Sequence, residues 1–134
     1  SGDLPGAAAA MGRLVSARRP HDGTAPEVRE VVADAYARLA ELQLRLRALD
    51  RAAEAVRAGL TYATEPTYFR GHLLEVEGLV QEARASELAD AGAPDEAARA
   101  RARAIQLLEE VVKIQDEVIQ RSLASRDAST GAGR

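Results

Sequence analysis

The sequence predicts an all-α protein of two antiparallel helical hairpins, four helices in all, the last of them long. Three observations carry that expectation. Hydrophobic residues make up 46% of the 134 residues but aromatic ones only 3%, so the core must be Leu, Val, Ile and Ala. Alanine is the best helix former and lets helices approach closely. Apolar residues recur at spacings of three and four along most of the chain, the signature of one buried helical stripe. Finally, Pro26, Pro66 and the run Gly92-Ala93-Pro94 divide the chain into helix-sized segments. A β-sandwich does not fit this composition.

A chain of 14.3 kDa is one ordinary domain, able to bury a modest core without cross-links. It has no cysteine, which removes disulfide frameworks, thiolate zinc sites and cysteine nucleophiles together. With 18 Lys+Arg against 21 Asp+Glu the net charge is −3, so nucleic acid is not an expected partner. No apolar run approaches the roughly 20 residues needed to span a bilayer, so no membrane insertion is expected. Lys113 is the only lysine; arginine and alanine usage points to a GC-rich bacterial genome. The opening Ser1-Gly2-Asp3, without Met, leaves room for a removed leader, and so leaves bacterial cytoplasm and periplasm both open.

Residues 1–24, with Pro5, Pro20, the unpatterned run Ala7 to Ala10 and the cluster Arg13, Arg18 and Arg19, read as a flexible amino-terminal tail. The helical domain is expected over 25–123. Its first helix has Pro26 at the first helical position and Glu27 and Glu30 in the first turn, where carboxylates meet the positive end of the dipole. Its stripe is Val28, Val32, Ala35, Tyr36, Leu39, Leu42 and Leu46. No Gly or Pro follows, yet the stripe changes phase between Leu46 and Asp50, which marks a turn with Asp50 as the next cap. A second helix from Arg51 to about Tyr62 buries Ala52, Ala55, Val56, Gly59 and Leu60, and Pro66 ends that segment. The third, from Tyr68 to about Ala91, carries Phe69, Leu73, Val76, Leu79, Val80, Ala83 and Leu88. Gly92 supplies a residue tolerant of positive φ, and Asp95-Glu96 open the fourth helix, which runs to about Leu123. The stripe of that helix is Ala97, Ala104, Ile105, Leu108, Val111, Val112, Gln115, Val118, Ile119 and Leu123. Residues 124–134 read as a second flexible tail.

The run Ala33 to Ala40 followed by Leu49 to Leu60 resembles a tetratricopeptide repeat. Tyr36, Leu39 and Ala40 match the first helix of that repeat, Leu49 and Ala52 its turn, and Val56 and Gly59 its second helix. Gln43 replaces the usual aromatic, Arg47 the usual turn glycine and Thr64 the proline, which arrives two residues late as Pro66. A second, stretched unit is marked by Leu74, Gly78 and Asp95-Glu96-Ala97-Ala98, with about two extra turns between Gly78 and Ala97. The resemblance covers Val31 to Ala104 as one good and one stretched repeat. It implies a non-catalytic scaffold that binds another protein or peptide, with the first helix of each unit lining the groove. The groove candidates are then Arg38, Glu41 and Arg45 from the first helix and Arg70, His72 and Glu75 from the third. Such arginines either suit an acidic or carboxylate-bearing peptide, since a guanidinium holds a carboxylate through two hydrogen bonds, or are solubilising and paired with Glu41 or Asp34. The Lys and Asn pattern of the carboxylate-clamp members is absent.

The competing architecture is an antiparallel four-helix bundle that binds a metal or a small ligand. His72 and Glu75 share a helix face, but they form a single pair, in the reverse of the Glu-x-x-His order of di-iron bundles. No metal ligand and no cofactor is assigned. No Gly-rich phosphate loop, nucleophile elbow or Ser-His-Asp arrangement is present, and no residue is assigned a catalytic role.

Two repeat units are fewer than the three or so that close an apolar face. Val111, Val112, Ile114, Val118, Ile119 and Leu123 are therefore left with few partners, and either the last helix packs on a second copy or a partner helix, or the first helix, Pro26 to Leu46, covers it. Tyr62, Tyr68 and Phe69 gather beside Pro66, either as anchors for a partner or as a cap over one end of the core. The interface candidates are Tyr68, Phe69, Val112, Val118 and Ile119. Gly71 and Gly78 within the third helix each cost about 1 kcal/mol against Ala, accepted where another helix packs close, here expected to be the Ala-rich second helix.

Overall fold

A computed structural model describes residues 4–17 and 25–132, in which every element is a helix: α1 (Leu4–Ala17), α2 (Pro26–Arg45), α3 (Leu49–Leu60), α4 (Tyr68–Asp90) and α5 (Pro94–Ala132). The expected tail positions 1–3 and 18–24, His21 among them, and positions 133 and 134 lie outside the described residues.

Pro26 opens α2 with Glu27 in its first turn, as the dipole argument requires. The α2–α3 turn needs neither Gly nor Pro. The Ala48 amide donates to the Gln43 carbonyl at 2.9 Å and the Arg47 amide to that of Leu44 at 3.0 Å, which closes a Schellman motif with Arg47 at φ +60°. Thus Arg47 occupies the left-handed position for which glycine is the usual residue. Asp50 is not the cap of α3, as expected, because Ala48 stands there; Asp50 lies in the first turn and accepts from Arg84 at 2.9 Å. The same motif ends α4, where Ala93 donates to Leu88 and Gly92 adopts φ +79°.

Among the described residues, 4–17 and 124–132 are helical within the segments expected as tails. At the amino end Ala7 to Ala10 continue into Met11, and Ala8 and Met11 pack against the core of α2 and α3. Alanine propensity supplies the helix and two apolar contacts dock it. At the other end α5 runs through the Ser- and Ala-rich stretch to Ala132, with every side chain from Ile119 to Thr130 exposed.

Packing is between near neighbours in the chain. α1 lies on α2, α4 lodges against both α2 and α3, and the α5 backbone approaches no described helix but α4. One apolar cluster joins Ala33, Ala37, Ala40, Val56, Leu73 and Val76, a second Leu49, Ala52, Ala53 and Val80, and a third Leu74, Leu107, Val111 and Ile114. Glycine appears where helices come closest. A Cβ on Gly59 would sit 2.7 Å from Leu73 Cδ2 and 2.9 Å from Tyr36 Cβ. The open sides of Gly71 and Gly78 face Ile114 and Leu108 of α5, not α3 as expected.

The expected stripes need correction in α2, α4 and α5. Val28 is exposed in the first turn of α2, and Leu79 on α4 faces outward. In α5 the buried residues are Ala97, Ala104, Leu107, Val111 and Ile114, with Val118 half-buried. Leu107, fully buried, was not on the expected stripe, whereas Ile105, Leu108, Val112, Ile119 and Leu123 were and are exposed. Two apolar stripes run along α5, about 100° apart, and α4 buries one and touches the other where Leu108 meets Gly78.

Candidate functional site

The uncovered stripe of α5 repeats as Ile105, Leu108, Val112, Gln115 and Ile119, alternating by three and four like a helix–helix seam. On α4 the residues beside it are Tyr68, His72, Glu75 and Leu79, again at spacings of three and four. Between the two helices lies an apolar groove of about 260 Å³, lined by Tyr68, Gly71, His72, Glu75, Ile114, Gln115, Val118 and Ile119. Gly71 brings α5 close enough for Ile114 to form the floor, 3.4 Å from where a Cβ would stand. From Ile105 to Ile119 the stripe is about 21 Å long at 1.5 Å per residue.

His72 forms one wall. Its side chain is 19% exposed, and Nε2 lies 2.5 Å from Oε1 of Glu41 on α2, an N–H donating to a carboxylate. The pair fixes the ring across the α2–α4 contact, and the Tyr68 ring lies 6.0 Å away at the groove mouth. Among the described residues no group of three or more His, Cys, Asp or Glu side chains is placed to hold a metal ion. No helix of the described residues is long and apolar enough to cross a membrane.

Of the six groove candidates, the structure gathers three: Glu41, His72 and Glu75. The arginines go elsewhere. Arg38 Nε donates to Asp34 at 2.9 Å, and that hydrogen bond first, then the charge of Asp34, raises the guanidinium pKa above its ordinary value. Arg45 is exposed in the last turn of α2. Arg70 turns back to donate to the Ala63 carbonyl at 3.1 Å and lines a separate, charged hollow with Lys113 and Glu117. The groove is therefore not the cationic one that an acidic peptide would need.

Of the interface candidates, Val112 and Ile119 are exposed on the open stripe and Val118 is half-buried in the groove wall. The aromatic cluster divides. Tyr62 stacks on Tyr36 with ring centroids 5.8 Å apart, and Tyr62 and Phe69 pack against the core, while Tyr68 is 66% exposed. Gly71, Ile114 and Gln115 complete the site without having been singled out as site residues. The seven-residue interval of Ile105, Val112 and Ile119 is the signal that finds the seam in the sequence.

No family model matches the chain, and no curated protein or solved structure does.

Proposed function

We propose that this protein is a non-catalytic interaction scaffold that receives a partner helix in the groove between α4 and α5. The observation that carries this reading is the second apolar stripe of α5, which stands open beside Tyr68, His72 and Leu79. Burying such a stripe is the main gain available to a helix laid along it, at about 25 cal/mol per Å² of apolar surface. The molecule already uses that mode internally. α4 seats Leu73 against Gly59 and Tyr36 in the cleft of α2 and α3, and the α4–α5 cleft repeats that cleft without an occupant. This stacking supports the tetratricopeptide-like reading, with α2 and α3 as one unit and α4 and α5 as a stretched second.

The test is a titration of the isotopically labelled chain with a hydrocarbon-stapled, 14-residue amphipathic helix carrying a Leu stripe and Gln flanks. Amide shifts are expected at Gly71, His72, Gln115 and Ile119, and Val112→Glu with Ile119→Glu should remove them. An absence of shifts, or shifts confined to other surfaces, overturns the reading. The homodimer is the competing occupant of the same stripe, and light scattering across a concentration series separates the two.

A further inference from the structure

The rims of the groove carry a charge pattern that its floor does not explain. On α4, Glu75 and Glu82 flank Leu79 at four residues before and three after. On α5, Asp116 follows Val112 by four and precedes Ile119 by three, so it stands beside the open stripe, whereas Glu109 lines the separate hollow with Arg70 and Lys113. Glu75, Glu82 and Asp116 are exposed, and none of the three makes an ion pair among the described residues. Several neighbouring acids are by contrast engaged: Asp34 by Arg38, Glu41 by His72 and Asp50 by Arg84. The basic side chains in register with the stripe, Arg101 a turn before Ile105 and Arg126 seven residues after Ile119, lie beyond its two ends.

We infer that the occupant of this groove is a basic amphipathic helix of about 14 residues from another protein, with one apolar stripe and Lys or Arg along both flanks. The length follows from the seam of about 21 Å. Charge selects the partner. Three carboxylates without an ion pair on two rims attract cationic flanks and repel acidic ones, and the apolar floor excludes water from the pairs at their inner edge. The same rims argue against a second copy of this chain as occupant. Two α5 helices laid antiparallel about a point midway between Val112 and Lys113 would set Glu109 of each against Asp116 of the other, like charges across the seam.

This inference rests on the groove reading above, and its test keeps the two apart. Three fluorescein-labelled stapled helices with one common Leu stripe and Lys, Gln or Glu flanks are titrated with the full chain by fluorescence anisotropy. The Lys-flanked helix should bind about tenfold more tightly than the Gln-flanked one and lose most of that margin between 0.1 and 0.5 M salt. The Glu-flanked helix should bind most weakly. Glu75→Lys with Asp116→Lys should invert the order without loss of helicity, both positions being exposed. Equal affinities, or an order unmoved by the double reversal, overturn the basic partner and leave the groove standing. Failure of all three helices to bind overturns the groove itself. A dimer by light scattering, with peptide affinity falling as chain concentration rises, names a second copy as the occupant and overturns the inference.

Discussion

Gly59 and Arg47 each hold a position that another residue would fill more naturally, and they do so for opposite reasons. At Gly59 the space is missing. Leu73 is fully buried, so it has nowhere to swing, and the Tyr36 Cβ at 2.9 Å is tied to the backbone of α2. Alanine there gains about 1 kcal/mol of helix propensity but overpacks the contact by about 1–3 kcal/mol. Gly59→Ala should therefore lower stability by about 1 kcal/mol, read as an earlier urea midpoint. At Arg47 the backbone is the difficulty. Its φ of +60° places a Cβ where L residues are disfavoured. Arg47→Gly relieves that strain at some cost in unfolded-state entropy, and should raise stability by roughly 0.5–1 kcal/mol in a thermal melt.

At the scale of the element, α5 separates two jobs that its sequence mixes. Leu107 and Leu108 are adjacent, so their side chains diverge by about 100°, and α4 buries the first while the second lies 40% exposed. Leu107→Ala should cost roughly 2–5 kcal/mol, seen in the denaturation midpoint. Val112→Glu with Ile119→Glu should keep the far-ultraviolet circular dichroism and shift the midpoint by only a few degrees, since both side chains already meet water. The helices themselves were legible because Pro26, Pro66, Gly92 and Pro94 punctuate the chain and apolar spacing fills the intervals. Which stripe of α5 faces inward was not, because both satisfy the same periodicity and the choice is made by packing on α4, where Leu74 meets Leu107, Val111 and Ile114. α1 was hidden for a related reason. Its alanines carry high propensity but no amphipathic pattern, and its docking through Ala8 and Met11 is a tertiary event. The register that sets His72 and Glu75 on one face of α4 and Asp34 one turn before Arg38 was readable, whereas the turn of Arg70 back to the Ala63 carbonyl depended on tertiary packing.

At the scale of the whole molecule, the helices form an open stack that leaves one cleft unfilled at its last step. Protection from amide exchange should follow that arrangement. Amides from Leu107 to Ile114 exchange slowly, behind a buried face, and those from Ser122 to Thr130 exchange within the dead time of a manual experiment, because an unsupported helix end of that length is marginal in water. A bound partner helix should slow the amides from Gln115 to Ile119 and leave the last two turns fast.

That the α5 backbone lies against α4 and no other described helix has a mechanical consequence. Spatial neighbours here are also sequence neighbours, so only short loops close during folding and the barrier should be low for a chain of this size. Pulled from its carboxyl end, the chain should not break as one unit. α5 should peel from α4 like a zip, at low force, with α2 and α3 still packed.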